Sequence, residues 1–228
     1  MNETLLTALA LIPVLVISIV CHEVAHGWAA LMLGDPTAKE RKRLSLNPIR
    51  HVDPLGTLIL PGGLALAGLP VFGWAKPVPV NQNRLRNPRY GMMAVAVAGP
   101  GTNFVLALIG SAIWGLAVTG HPAPEGVAGQ FGVEALRFLI MINLFLGLFN
   151  LLPIPPFDGS HIVEGLLPRR AAAAYHKSRP YGLGLMILLL LVIPWLFPGA
   201  GVVERVVMPP VEWALGVCQA FAEWIARI

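Results

Sequence analysis

Residues 4–33 read TLLTALALIPVLVISIVCHEVAHGWAALML. Glu23 is the only acidic or basic side chain in the run besides His22 and His26. At ~1.5 Å per residue these thirty residues exceed the ~30 Å hydrocarbon core of a bilayer, so the run predicts a membrane-spanning helix. Gly34-Asp35-Pro36 ends it. A Glu inside such a span costs about 2.5–3.5 kcal/mol on insertion scales, so it needs a partner or a task. On a helix, His22 and His26 lie on one face about 6 Å apart along the axis. Two imidazoles so placed can hold one zinc ion, with Glu23 beside it as a base.

The rest of the 228 residues agrees with a membrane protein. The chain is 56% hydrophobic and 12% charged, against about 25% charged in a typical soluble domain. Mean hydropathy is +0.70. This excludes a disordered chain and argues against an ordinary water-soluble enzyme. The 24 Gly and 21 Pro point to broken helices and re-entrant segments, which membranes tolerate where protein covers the backbone. The length suits one transmembrane domain over residues 1–228. Cys21 and Cys218 are far apart in apolar surroundings, so no disulfide framework is expected. The amino end lacks a basic lead-in, so a removed signal peptide is not expected.

Further spans are predicted at about 90–119, 133–152 and 181–198. Residues 203–226 read as another span or as an interfacial amphipathic helix. These spans predict an all-α polytopic membrane protein with about four to six transmembrane helices. Residues 55–75, LGTLILPGGLALAGLPVFGWA, carry no charge, but Pro61-Gly62-Gly63 argues against a regular helix. Gly62-Gly63 between two apolar triplets is a two-residue hairpin signal. Both flanks are basic, so a re-entrant hairpin keeps them on one side. With that assumption, 39–50, 76–89 and 153–180 are cytoplasmic, and they hold 13 of the 16 Lys and Arg. The net charge of +4 and pI near 9.4 thus mark topology and anionic lipid, and no nucleic-acid partner is expected.

A hydrolytic zinc site needs a third ligand and an open position for water. Asp158 follows Asn150-Leu-Leu-Pro153-Ile-Pro155-Pro156-Phe, whose prolines forbid a continued helix. An extended loop there lets the carboxylate turn back into the bundle. A plain Asp-Gly turn at the surface is the competing reading. His51, Asp53, His161 and Glu164 are the other candidates. The Asn47-Pro48 and Asp53-Pro54 pairs favour a loop-structuring role for His51 and Asp53.

Together, HExxH in the first span, GPGTN at Gly99–Asn103 and NLLPIPPFDG at Asn150–Gly159 resemble the site-2 protease family. These are intramembrane zinc metalloproteases. The similarity covers nearly the whole chain, including SLNPIRHVDPLGTL and FGWAKPVPVN, and is closest to short bacterial members without PDZ-like or CBS-like modules. It implies one Zn2+ per chain, held by His22, His26 and Asp158, with Glu23 as general base. It implies that Asn150 assists substrate or oxyanion binding, and that Asn103 is structural or substrate-facing. It also implies a membrane-inserted hairpin at 55–75 that pairs with unwound substrate, membrane-protein substrates, and a place in the bacterial inner membrane. The predicted topology opens the site toward the cytoplasm. A catalytically silent binder of membrane segments and a metal-ion transporter compete with this reading. An intact Glu23 between the histidines favours hydrolysis, since neither alternative needs a base.

Overall fold

The computed structural model describes residues 3–66, 68, 73–119, 126–197 and 201–228. The α-helices of six or more residues are labelled α1 (Glu3–Met32), α2 (Leu60–Leu66), α3 (Pro88–Ala117), α4 (Gly126–Asn150), α5 (Asp158–Leu166), α6 (Arg169–His176), α7 (Gly182–Ile187) and α8 (Met208–Ile225). Among the described residues, four helical stretches are long and apolar enough to cross a membrane: Leu5–Met32, Pro88–Ala117, Gly126–Asn150 and Arg169–Leu196. The chain is an all-α polytopic membrane protein.

α1, α3 and α4 each pack on the other two. α5 packs on α3, and α8 lies against both α3 and α4. Val211, Cys218 and Ala222 form the buried stripe of α8, at the spacing one helix face requires. The central apolar cluster joins Ala107 of α3, Ile140 and Leu144 of α4, Leu152 and Phe157 of the following loop, and Val207, Val211 and Cys218. Spans one and two sit where the hydropathy placed them. The helix at the third expected span, α4, starts at Gly126, several residues before the expected 133. Pro100 is buried inside α3 without ending it. The 181–198 stretch is helical to Leu196 but changes register between Leu188 and Val192.

The end of α1 is tied to the segment that leads into α3. Asp35 is fully buried. Its Oδ1 accepts from the Thr37 N–H (3.0 Å) and hydroxyl, and its Oδ2 accepts from the Asn81 N–H (2.5 Å). Burial alone would raise the pKa of this carboxyl, but these donors and Arg84 hold it below its usual range. Arg86 N–H donates to Leu33 O, 3.0 Å. The carboxyl end of α1 and the amino end of α3 therefore meet.

Residues 55–75 correct the sequence reading in part. No β-strand occurs among the described residues, and Gly62-Gly63 lies inside α2. The Gly-Gly β-turn is replaced by helix, with residues 67 and 69–72 outside the described set. Asp53 caps the start, its Oδ1 accepting from Leu55 N–H (3.0 Å) and Gly56 N–H (2.8 Å). Pro54–Ile59 winds with i→i−5 bonds. In that register Gly56 O would accept from residue 61, but Pro61 has no N–H. Trp74 N–H takes the vacancy at 3.0 Å, and Lys76 N–H donates to His51 O at 2.8 Å. The excursion thus returns to its own starting point.

Candidate metal centre

The sequence puts His22 and His26 on one face of α1, and the fold turns that face onto α3. Both rings are buried, at 7% and 9% exposure. His22 Nδ1 lies 2.6 Å from Asn103 Oδ1, and His26 Nδ1 lies 2.7 Å from Val95 O. Both partners are carbonyl oxygens, which accept, so both Nδ1 atoms carry the proton and both Nε2 atoms present lone pairs. α3 can come this close because Gly99 faces the rings. A Cβ built there would lie 2.5 Å from His26 Nε2 and 2.6 Å from His22 Cε1.

Asp158 arrives from the other side. After α4, residues 151–157 turn without helix, with a cis peptide between Pro155 and Pro156. Phe157 N–H donates to Ile154 O at 2.9 Å, and Asp158 opens α5. The turn is tight: a Cβ on Gly159 would lie 2.2 Å from Leu151 O, so only glycine fits behind the carboxylate.

The three donor atoms converge. The two Nε2 atoms are 3.0 Å apart, and Asp158 Oδ2 is 3.1 Å from that of His22 and 3.3 Å from that of His26. With both Nδ1 protons committed elsewhere, this is a buried triangle of acceptors with no proton inside it. Asp158 Oδ2 has no hydrogen-bond donor. Such a cluster is repulsive unless a cation fills it. Tetrahedral zinc with bonds near 2.0–2.1 Å separates its ligands by about 3.3 Å, close to these edges. Among the described residues, this is the one group of three or more His, Cys, Asp or Glu that could hold a metal, and it forms a single Zn2+ site.

A cleft of about 390 Å³ opens onto the triangle. Glu23, Pro77, Val78, Asn150 and His161 are among its walls. Glu23 Oε2 accepts from Val78 N–H at 2.8 Å. Asn150 Nδ2 donates to Leu146 O at 2.9 Å, leaving a second N–H on the same nitrogen. Asn103 is different: it is fully buried, with Oδ1 at His22 and Nδ2 donating to Asn143. It stands behind His22 and does not face the cleft.

The other ligand candidates are occupied. His51 Nε2 donates to Ser45 O at 2.8 Å, and Asp53 caps its turn, the loop roles their Pro-rich context suggested. Glu164 accepts from Arg179 at 2.5 Å; burial alone would raise its pKa, but Arg179 and His176 hold it down. His161 lies against the same guanidinium, with Nδ1 2.8 Å from Nη2 and Nε2 3.0 Å from Nη1. Burial and then the Arg179 charge push it down to about 4, so it lines the cleft as a neutral imidazole.

The sequence pattern of Peptidase family M50 matches residues 123–193. YwhC of Bacillus subtilis (strain 168), which its name places among the zinc metalloproteases, is 40% identical over 201 residues, covering 85% of this chain and 87% of that protein. Rip2 of Mycolicibacterium smegmatis, of the same designation, is 30% identical over 79% of this chain and 67% of its own length. The zinc metalloprotease MJ0392 of Methanocaldococcus jannaschii is 27% identical over 75% of this chain and 38% of its own. No solved structure matches the chain significantly. The resemblance carried by the three motifs therefore extends over most of the chain, and the acceptor triangle gives it a metal: the chain belongs to peptidase family M50, the zinc-dependent endopeptidases of the membrane.

Proposed function

We propose that His22, His26 and Asp158 hold Zn2+, that Glu23 is the general base, and that the protein cuts membrane-embedded or membrane-proximal segments of other membrane proteins. The observation that carries this reading is the acceptor triangle opening onto a cleft that also contains Glu23. Zn2+, when bound there, polarises the scissile carbonyl and makes water nucleophilic near neutral pH. Glu23 takes the proton of the attacking water and delivers it to the leaving amine. The Val78 N–H holds its carboxylate in place for both transfers. The free N–H of Asn150 donates to the developing oxyanion.

The cleft opens toward the cytoplasm. The 13 Lys and Arg of 39–50, 76–89 and 153–180 belong to the segments that join the carboxyl end of α1, the amino end of α3 and the carboxyl end of α4. Positive charge on that side marks it as cytoplasmic. His26 and His22 lie six and ten residues before the end of α1, about 9 and 15 Å from it at ~1.5 Å per residue. Water reaches that depth through the cleft. Residues 55–75 re-enter from the same side, since both ends are hydrogen-bonded together.

A helical substrate must be unwound before its peptide bonds are accessible. Lys76–Val80 supplies a template. Lys76 and Val78 turn their N–H groups to His51 and Glu23. Along an extended chain the alternate residues, Pro77 and Pro79, point the other way and offer carbonyls alone. Those carbonyls accept from the freed N–H groups of an unwound segment.

The test uses the chain in liposomes with a membrane-spanning substrate. Cleavage that a chelator stops and zinc restores supports the reading. Metal flux without peptide product would replace it with transport, and substrate capture without product would replace it with a silent binder. Asn150→Ala is expected to lower kcat by about 10²- to 10³-fold at unchanged zinc content. An unchanged kcat removes Asn150 from the mechanism.

A further inference from the structure

Two buried polar residues in the bundle have no part in the chemistry above. Ser18 of α1 and Asn143 of α4 are both fully buried in apolar helices. Ser18 Oγ donates to Val14 O at 2.7 Å. Asn143 Nδ2 donates to Ser18 Oγ and to Leu139 O, both at 2.8 Å. Asn103 Nδ2 donates to Asn143 Oδ1 at 2.8 Å, and Asn103 Oδ1 receives His22 Nδ1 at 2.6 Å. The series crosses α1, α4, α3 and returns to α1.

Its direction is fixed at one end. Val14 O and Leu139 O are backbone carbonyls, which accept only. The Ser18 hydroxyl proton goes to Val14 O, so Ser18 Oγ must accept from Asn143. Leu139 O likewise can only accept, so the Asn143 atom 2.8 Å from it is the amide nitrogen; the amide presents its NH2 to both and turns its oxygen to Asn103. Asn103 must then give its NH2 to Asn143 and turn its oxygen to His22. His22 has one remaining choice, a proton on Nδ1 and a lone pair on Nε2. We propose that Ser18 and Asn143 are positioning residues for the metal centre: they lock the Asn103 amide and so hold His22 in the tautomer that binds zinc.

The alternative is that the amides are polar glue between helices. The two differ in what a break does. Without Asn143, the Asn103 amide is free to turn its NH2 toward His22 Nδ1. The ring then accepts there and carries its proton on Nε2, where a metal ion would bind. Partners that orient a metal-binding histidine in this way typically contribute about 10- to 100-fold in metal affinity.

The experiment compares zinc dissociation constants, and the visible bands of the Co2+-loaded protein, for the purified full chain and its variants in detergent. Asn143→Leu is expected to weaken zinc about 10- to 100-fold and to alter the Co2+ bands. Ser18→Ala, a milder change that keeps the Leu139 anchor, moves both readouts less in the same direction, and Ser18→Thr restores them. In an Asn103→Leu background neither Asn143→Leu nor Ser18→Ala adds a further loss, because the relay is already cut. Unchanged zinc affinity in Asn143→Leu and Ser18→Ala, or full additivity with Asn103→Leu, overturns the proposal. A lowered metal-free melting temperature with normal zinc binding does so too, and assigns the residues to helix packing. The proposal rests on the metal centre and not on peptide cleavage. Wild type that binds no zinc would fail the centre itself, a result distinct from these.

Discussion

Glu23→Gln is expected to abolish cleavage while leaving zinc in place. The substitution keeps the size of the side chain, and the Gln carbonyl still accepts from the Val78 N–H that holds Glu23 Oε2 at 2.8 Å. Position 23 contributes no atom to the acceptor triangle, so the three ligands are untouched. What disappears is a group able to take a proton and release it. Positioned acid–base catalysis typically supplies about 10²- to 10⁴-fold, and kcat should fall by that factor with zinc near one per chain. Turnover at the wild-type rate would remove Glu23 from the base role. Loss of zinc together with activity would mean that the side chain acts on the metal centre instead.

Gly99→Ala should disable the same centre without touching a ligand. The added Cβ would sit 2.5 Å from His26 Nε2 and 2.6 Å from His22 Cε1, closer than carbon and nitrogen tolerate. The rings cannot simply swing aside, since their Nδ1 atoms are bonded to Asn103 and Val95 on the helix that carries the new methyl. Either those bonds break or α1 and α3 separate. Overpacking of this kind typically costs about 1–3 kcal/mol of stability. Zinc affinity should fall at least about 10-fold, as when histidine partners are lost. Melting with and without zinc separates the two effects: the zinc-dependent rise in melting temperature should shrink more than the metal-free value falls. Wild-type zinc affinity in Gly99→Ala would show that the rings have room the structure denies them.

These variants mark where the sequence was readable. HExxH at 22–26 carried two ligands and the neighbouring Glu because one helical turn brings i and i+4 together whatever surrounds them. Asp158 was harder. Residue chemistry left it balanced against a surface turn; the motif resemblance and then the convergence on both Nε2 atoms decided it. Gly99 was legible as the first residue of GPGTN, yet its use is room for two rings on another helix, which no local pattern reports. Ser18 and Asn143 were missed. The available signal was a polar side chain set among apolar neighbours, Ser18 within residues 15–20 (LVISIV) and Asn143 within residues 141–146 (MINLFL), in spans where a buried polar group needs a partner. Gly62-Gly63 misled because two apolar triplets around a Gly pair suit a hairpin and a short helix equally. Pro61 tolerated helix there because Trp74, distant in sequence, satisfied the carbonyl it left open.

The central claim is that three side chains from two separate segments bind one metal ion. Zinc content of the detergent-purified protein, wild type against Asp158→Ala, tests it without any substrate. The account predicts about one zinc per wild-type chain and loss or marked weakening in the variant, because two histidines alone leave the site a ligand short. A folded wild type without zinc, or a variant that keeps its zinc, would contradict it.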